Sequence, residues 1–416
     1  MNDDTPSAQE GRERSVEVLR ACATEHGFLA TPTERDNYRR VWGRDGSVMA
    51  LASLLTGEDD LIDTSRVTLE TLARYQGPHG EIPSNVDPST ERVSYGGTAG
   101  RVDAGLWFAI ACAEFVRRTG DQGFLDAMLE PLERLRRLLG AWEFNDRGLL
   151  FVPPTGDWAD EYIQSGYVLY DQLLYLQAQR GIGQLHADLH ATEDHGLSDR
   201  VARHRHLLRA NYWFEDEDGD DVPDDAYHAV LYQKGRAAAD HCAGRYWLPF
   251  FSPLGYGTRF DGMANGLVSL LGVSDEEHDE AVDAFIADEL VDENVMLLPA
   301  FHPVITPRDE YWDELQMSFS HTFKNEPYAY HNGGLWPLVT AFYAASLVTR
   351  GKTTLARRYR DGIHAANRRE RDGRPWGFSE YLNGRTHEPG GAHPMGWSAA
   401  AGVIVDAYVE GERLFA

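Results

Sequence analysis

Cysteine is scarce in this chain, with three in 416 residues. Cys22, Cys112 and Cys242 stand far apart, and the first two fall in apolar, helix-like runs. Such spacing argues against a disulfide framework or a zinc site and fits buried thiols. The histidines do not cluster at metal-ligand spacing, so neither a metal nor a cofactor is expected. Lysine occurs only at Lys234, Lys324 and Lys352, which leaves arginine to carry nearly all the positive charge. No apolar run approaches the length of a membrane span, and no basic-then-apolar leader opens the chain. These absences predict a protein of the cytoplasm with no membrane partner. No interdomain linker is visible either. The chain reads as one unit, with residues 1–37 forming an N-terminal tip and first helix continuous with the main domain at 38–416.

What is abundant is negative charge. Asp and Glu number 66 against 39 Lys and Arg, a formal net charge of −27. That balance excludes nucleic acid and anionic membranes as partners. High acidity with few lysines is the composition of halophilic proteins, in which salt screens the mutual repulsion of surface carboxylates. An acidic disordered chain is excluded, because apolar residues make up 42% and aromatics 11%. The one low-complexity stretch is the acidic run 215–221. It lacks the spacing and the terminal bidentate Glu of a calcium loop and reads as a solvated loop.

Apolar periodicity runs through the rest. Ser7-Ala8-Gln9-Glu10 is a capping box, and the helix it opens runs through Cys22 to a stop at Gly27. Further helices are predicted over about 47–55, 61–75, up to 119, 122–139, 168–179, 198–211, 261–271, 275–290, up to 350, 353–368 and 396–408. Long loops rich in Trp, Arg, Asp and Gly recur before every second helix. Strand-like runs are short and do not alternate with helices, so a parallel sheet is not expected. Helix pairs stacked with similar loops at one end make an all-α repeat architecture.

Five of those loops carry chemistry. They are Trp42-Gly43-Arg44-Asp45, Arg101-Val102-Asp103, Asp157-Trp158-Ala159-Asp160-Glu161, His331-Asn332-Gly333 and Trp376-Gly377-Phe378-Ser379-Glu380. Aromatic rings such as Trp42, Trp107, Trp158, Trp336, Trp376 and Trp397 can cover the apolar faces of a pyranose, while fixed donors and acceptors read its hydroxyls. Two carboxyls on separate loops can then serve as acid and base on a glycosidic bond. Plainer roles are open to several of them. Arg44-Asp45 could be a local ion pair, Asp103 a helix cap, His331 a structural histidine, and Trp107 and Trp336 core residues.

The motifs from Trp42 to Asp45, Arg101 to Trp107, Asp157 to Asp160, Tyr330 to Pro337, and Phe378 to Tyr381 through Trp397-Ser398 occur in one order. In that order they resemble the six-hairpin, (α/α)6-toroid glycoside hydrolases over residues 38–408. The likeness is strongest to the amylo-α-1,6-glucosidase domain of glycogen-debranching enzymes and to neutral/alkaline invertases. Mannosylglycerate and glucosylglycerate hydrolases and trehalases are more distant. The resemblance implies an all-α (α/α)6 toroid and an inverting hydrolase acting on an oligosaccharide or small glycoside. Asp160 matches the general acid and Glu380 the general base, with Asp157 a rival for the acid. Arg44, Asp45, Arg101, Asp103, His331 and Asn332 match residues of the sugar pocket. No sugar-binding β-domain precedes the catalytic part, which favours oligosaccharides over intact polymer. A non-catalytic sugar-binding toroid is the second class of reading.

Overall fold

A computed structural model describes residues 7–34, 37–97, 99–159, 161–190, 195–215, 222–318 and 322–415. Its helices are α1 (Ala8–Cys22), α2 (Gly43–Leu54), α3 (Asp59–Arg74), α4 (Asp103–Thr119), α5 (Gln122–Trp142), α6 (Leu169–His190) and α7 (His195–Tyr212). They continue with α8 (Ala229–Ala239), α9 (Gly262–Leu270), α10 (Glu276–Phe285), α11 (Trp312–Gln316), α12 (Pro337–Thr349), α13 (Thr353–Arg368) and α14 (Gly396–Glu410). A π turn over Ile286–Leu290 extends α10.

Two kinds of helix alternate along the chain. α2, α4, α9, α12 and α14 are buried on nearly every side, as is the N-terminal half of α6. A helix apolar all round belongs in a core. α3 and α13 bury a single stripe, such as Leu61, Ser65, Thr68, Leu69 and Leu72 of α3. The six inner helices pack in sequence, α2 on α4, α4 on α6, α6 on α9, α9 on α12 and α12 on α14. The circle closes where α14 packs against α2. Outer helices clasp them from outside: α1 lies on α14, α3 on α2 and α4, α5 on α4, α7 on α6, and α13 on α12 and α14. This is the (α/α)6 toroid, with one core running round it.

β-structure among the described residues is confined to antiparallel pieces of two or three residues at the loops that enter the inner helices. Val41–Trp42 pairs with Asn85–Asp87, and Phe260–Asp261 with Phe301–His302. Tyr381–Leu382 pairs with Pro389–Gly390, and a bridge joins Leu382 to Leu335. These ties hold the loops at the N-terminal ends of the inner helices in register with one another.

Several sequence-based boundaries shift. α2 begins at Gly43, four residues before the predicted start, so Arg44 and Asp45 lie in its first turn instead of in a loop. Two glycines in its first turn permit close packing. A Cβ on Gly43 would sit 2.5 Å from the Pro83 carbonyl oxygen, and one on Gly46 2.9 Å from the Thr68 methyl. α6 runs eleven residues beyond the predicted end at 179. α8 and α11 were not predicted. No helix opens at Asp157, where the described residues of 155–163 form turns and bends. The three cysteines are free and buried. No described helix is long and apolar enough to cross a membrane. Residues 216–221, most of the acidic run, lie outside the described residues.

Candidate active site

The loops entering α2, α6, α12 and α14 meet around a cavity of about 510 Å³. The N-terminal ends of these helices face it, and such ends favour negative charge. Trp42, Trp158, Tyr330 and Trp397 supply aromatic wall, and Asp45, Glu161 and Glu380 are its described carboxylates. Arg44 and Lys324 are its cations. The Arg44 guanidinium lies 5.4 Å from the Trp397 ring centroid, and Lys324 Nζ lies 5.0 Å from that of Tyr330. Lys324 Nζ is also 3.3 Å from Glu161 Oε1.

Glu380 is 3% exposed. The Tyr38 hydroxyl donates to its Oε1 at 3.2 Å, and the Ala392 backbone N–H donates to its Oε2 at 3.0 Å. Burial pushes this carboxyl up to about 7. The Ala392 N–H, Lys324 and Tyr38 act the other way, while Asp45 adds to the rise. Of the two cavity cations, Lys324 is the one that favours the charged form of Glu380. The loop that delivers Glu380 has unusual backbone. Trp376 and Phe378 adopt φ values of 61° and 44°, as non-glycine residues rarely do. Gly391 follows at φ 73°, and a Cβ there would lie 2.3 Å from Glu380 Oε2.

The other residues singled out in the sequence fall into three groups. Trp42, Arg44, Asp45, Trp158 and Glu380 line the cavity. Asp103, Asp157, Arg101 and His331 stand behind it. Arg44 Nη1 reaches Asp103 Oδ2 at 3.0 Å, closer than the 3.7 Å that separates Arg44 Nε from Asp45. Asp103 also accepts from the Tyr170 hydroxyl at 3.2 Å. Arg101 donates to the Asp157 carbonyl at 3.1 Å. The Asp157 carboxylate accepts from Gln164 and has no access to solvent. His331 stacks on Trp336 at 5.4 Å and meets the Trp158 ring edge-on at 5.1 Å. The third group is structural. Asn332 accepts from the Ile305 N–H and donates to the Ile305 and Asn325 carbonyls, clamping two loops. Trp107 donates to Tyr170 and stacks on Phe342 in the core, and Trp336 donates to the Tyr330 carbonyl. Trp376 stacks on Phe378 away from the cavity. Asp160 lies outside the described residues, between buried Ala159 and the cavity residue Glu161.

Behind the Trp158 wall, Asp103, Asp157, Asp171 and Asp261 are all buried. Burial raises Asp157, Asp171 and Asp261, with Asp261 reaching about 7, and neighbouring carboxylates raise Asp157 and Asp171 further. Asp261 also caps α9, accepting from the N–H groups of Met263 and Ala264. Among the described residues, no His, Cys, Asp and Glu side chains converge in a group able to hold a metal ion.

Residues 61–398 match the family model of the mannosylglycerate hydrolase MGH1-like glycoside hydrolase domain. The chain belongs to this glycoside hydrolase family. The glycoside hydrolase is 25% identical to cytosolic invertase 1 of Oryza sativa subsp. japonica over 426 residues, covering 91% of this chain and 72% of that one. It is 24% identical to a probable alkaline/neutral invertase D of Arabidopsis thaliana, covering 84% and 71%. Among solved structures it is similar in fold to a GH63 mannosylglycerate hydrolase from Thermus thermophilus in complex with glucose. The TM-score is 0.65 at 18% identity, over 94% of this chain and 99% of that one. A bacterial glucoamylase complexed with acarbose is similar at a TM-score of 0.63 and 16% identity, over 97% and 56%. The hydrolase is therefore an enzyme acting on glycosidic bonds. Tyr38 and Lys324 at its cavity were not among the sequence's candidate site residues, while Glu161, Tyr330 and Trp397 stood there only as members of its loops and motifs. Only the rarity of lysine could have pointed to Lys324.

Proposed function

We propose that this glycoside hydrolase inverts the anomeric carbon of a small α-glucoside, with Glu380 as general base and Asp160 as general acid. The observation that carries this reading is a buried Glu380, raised to about 7, on the wall of an aromatic-lined cavity. A carboxyl near 7 is basic enough to take a proton from water yet half ionised at neutral pH. Water attacks the anomeric carbon as Glu380 removes its proton. The bond to the glycosidic oxygen breaks, and Asp160 donates its own proton to that oxygen. Trp42, Trp158 and Trp397 supply surfaces for the sugar faces, and Arg44 and Lys324 supply donors for its hydroxyls. Glu161, ion-paired to Lys324, is the nearest described rival to Asp160. Asp157 is less suited, because its carboxyl is sealed behind the wall.

The likeness to invertases and to a mannosylglycerate hydrolase supports a glycoside of a few rings over a polymer branch. This favours an oligosaccharide or disaccharide over glycogen, whether the bond is the α-1,6 stub of a trimmed glucan or that of sucrose. The likeness to invertases supports sucrose as the second reading. Sugar release from branched maltooligosaccharides, sucrose, trehalose, mannosylglycerate, glucosylglycerate and glycogen, with heat-killed protein as control, tests the substrate. Faster turnover of glycogen than of every short substrate would overturn it. Proton NMR of the first product tests the stereochemistry, and retained configuration would overturn the inverting mechanism. An inverting pair also requires carboxyls roughly 6.5–9.5 Å apart.

A further inference from the structure

A second cavity, of about 810 Å³, opens between α4 and α6. Its α4 wall begins at Ile110, seven residues past Asp103, and ends at Arg117. At 1.5 Å per residue it lies about 10–20 Å along the helix from the catalytic end. Ile110, Leu185 and Phe415 give it an apolar surface, and Arg180, Arg117 and Glu114 give it charge.

Arg180 is the unusual member. It is half-buried, and no described carboxylate pairs with it. Its Nη1 donates to Gln177 Oε1 at 3.3 Å and to the Leu271 carbonyl at 3.2 Å. Those bonds fix the guanidinium plane and leave the edge formed by Nε and Nη2 without a protein acceptor among the described residues. Burial, together with the neighbouring Arg205 guanidinium, pulls Arg180 down to about 10. A half-buried cation without an anion, in a chain of net charge −27, is an incomplete pair. A planar guanidinium edge matches the two oxygens of a carboxylate. Opposite it, Glu114 is 4% exposed and tied to Arg117 at 2.5 Å. The charges on the cavity wall, two arginines against one glutamate, leave a single positive charge, which suits a monoanion better than a dianion.

We propose that this cavity binds a small organic carboxylate with an apolar body, its carboxylate on the free edge of Arg180 and its body against Ile110, Leu185 and Phe415. The site is separate from the catalytic cavity and independent of the substrate assigned there.

Isothermal titration calorimetry of the full chain with sodium hexanoate, at constant sodium concentration with chloride as the exchanged anion, tests the proposal. Saturable binding is expected for the unaltered protein, weakened about tenfold or more in Arg180→Gln, with Arg180→Lys in between, since lysine keeps the charge and loses the fork. Arg180→Gln removes one of two crowded guanidiniums and should melt no lower than the unaltered protein. Should it fail to fold, Arg180→Lys alone must still show weakened binding. No saturable heat with hexanoate, equal binding by the Arg180 variants, or equally tight binding of inorganic phosphate would each overturn it. None of these readouts depends on glycosidase activity, so failure here and failure of the catalytic assignment are distinguishable.

Discussion

Glu380 meets two opposed demands, because burial favours its neutral form while catalysis uses its anion. With its pKa raised to about 7, the rising limb of kcat/KM against pH should have its midpoint near 7. The same shift sets a stability trend. The unfolded carboxyl titrates near 4.3, so between about 4.3 and 7 the folded state holds more protons than the unfolded one. Stability therefore falls as pH rises through that window, and Asp261, also raised to about 7, adds to the fall. Glu380→Gln should impair activity and yet stabilise the protein above pH 7, by on the order of 3 kcal/mol. Thermal melts at pH 5 and pH 8 check this, and a variant destabilised at both would contradict it. Turnover should drop by on the order of 10²–10⁴ in Glu380→Gln and Asp160→Asn. Asp157→Asn and Glu161→Gln should lose less. If Asp157→Asn is inactive while Asp160→Asn turns over, the acid is misassigned.

The hairpin that carries Glu380 shows what a single element contributes. Gly391 leaves the space that the carboxylate occupies, and Ala392 supplies its N–H. Gly391→Ala would combine a strained φ of 73° with a Cβ 2.3 Å from Glu380 Oε2. We expect kcat to fall by at least about tenfold with KM little changed, because the base is displaced while the aromatic walls stay; unchanged kinetics would contradict that. The hairpin also shows what could be read in advance. Glu380 stood out because its motif takes the last place in the ordered series. The loops that enter the inner helices stood out because Trp, Arg and Asp recur there, before every second helix. Other features were hidden. Asn332 could be chosen as polar and well placed, but its clamp on Ile305 and Asn325 exists only once two loops have folded together. Tyr38 reaches a partner 342 positions away, and no local pattern signals such a contact. α11 has five residues, too few for periodicity to show, and the close packing at Gly43 and Gly46 leaves no mark in a sequence.

Across the whole molecule, acidity predominates. A net charge of −27 opposes compaction in dilute buffer, and ions screen it within about 10 Å at 0.1 M and 3 Å at 1 M. We expect the protein to require molar salt for complete folding, as circular dichroism during dialysis would show. An unchanged cooperative melt at low salt would refute this. The closed circle of inner helices has a consequence for how the chain is made. α2 needs α14 as its neighbour, yet about 340 residues separate them. At translation rates of about 5–20 residues per second, the flank of α2 that α14 will cover stays bare for some tens of seconds. Until the last helix leaves the ribosome, the nascent chain is an open arc with two sticky ends. Both ends are made to fit α14, so the α14 of a copy just completed can dock on them, and neighbouring ribosomes on one message are the place where this protein is most exposed to pairing with itself.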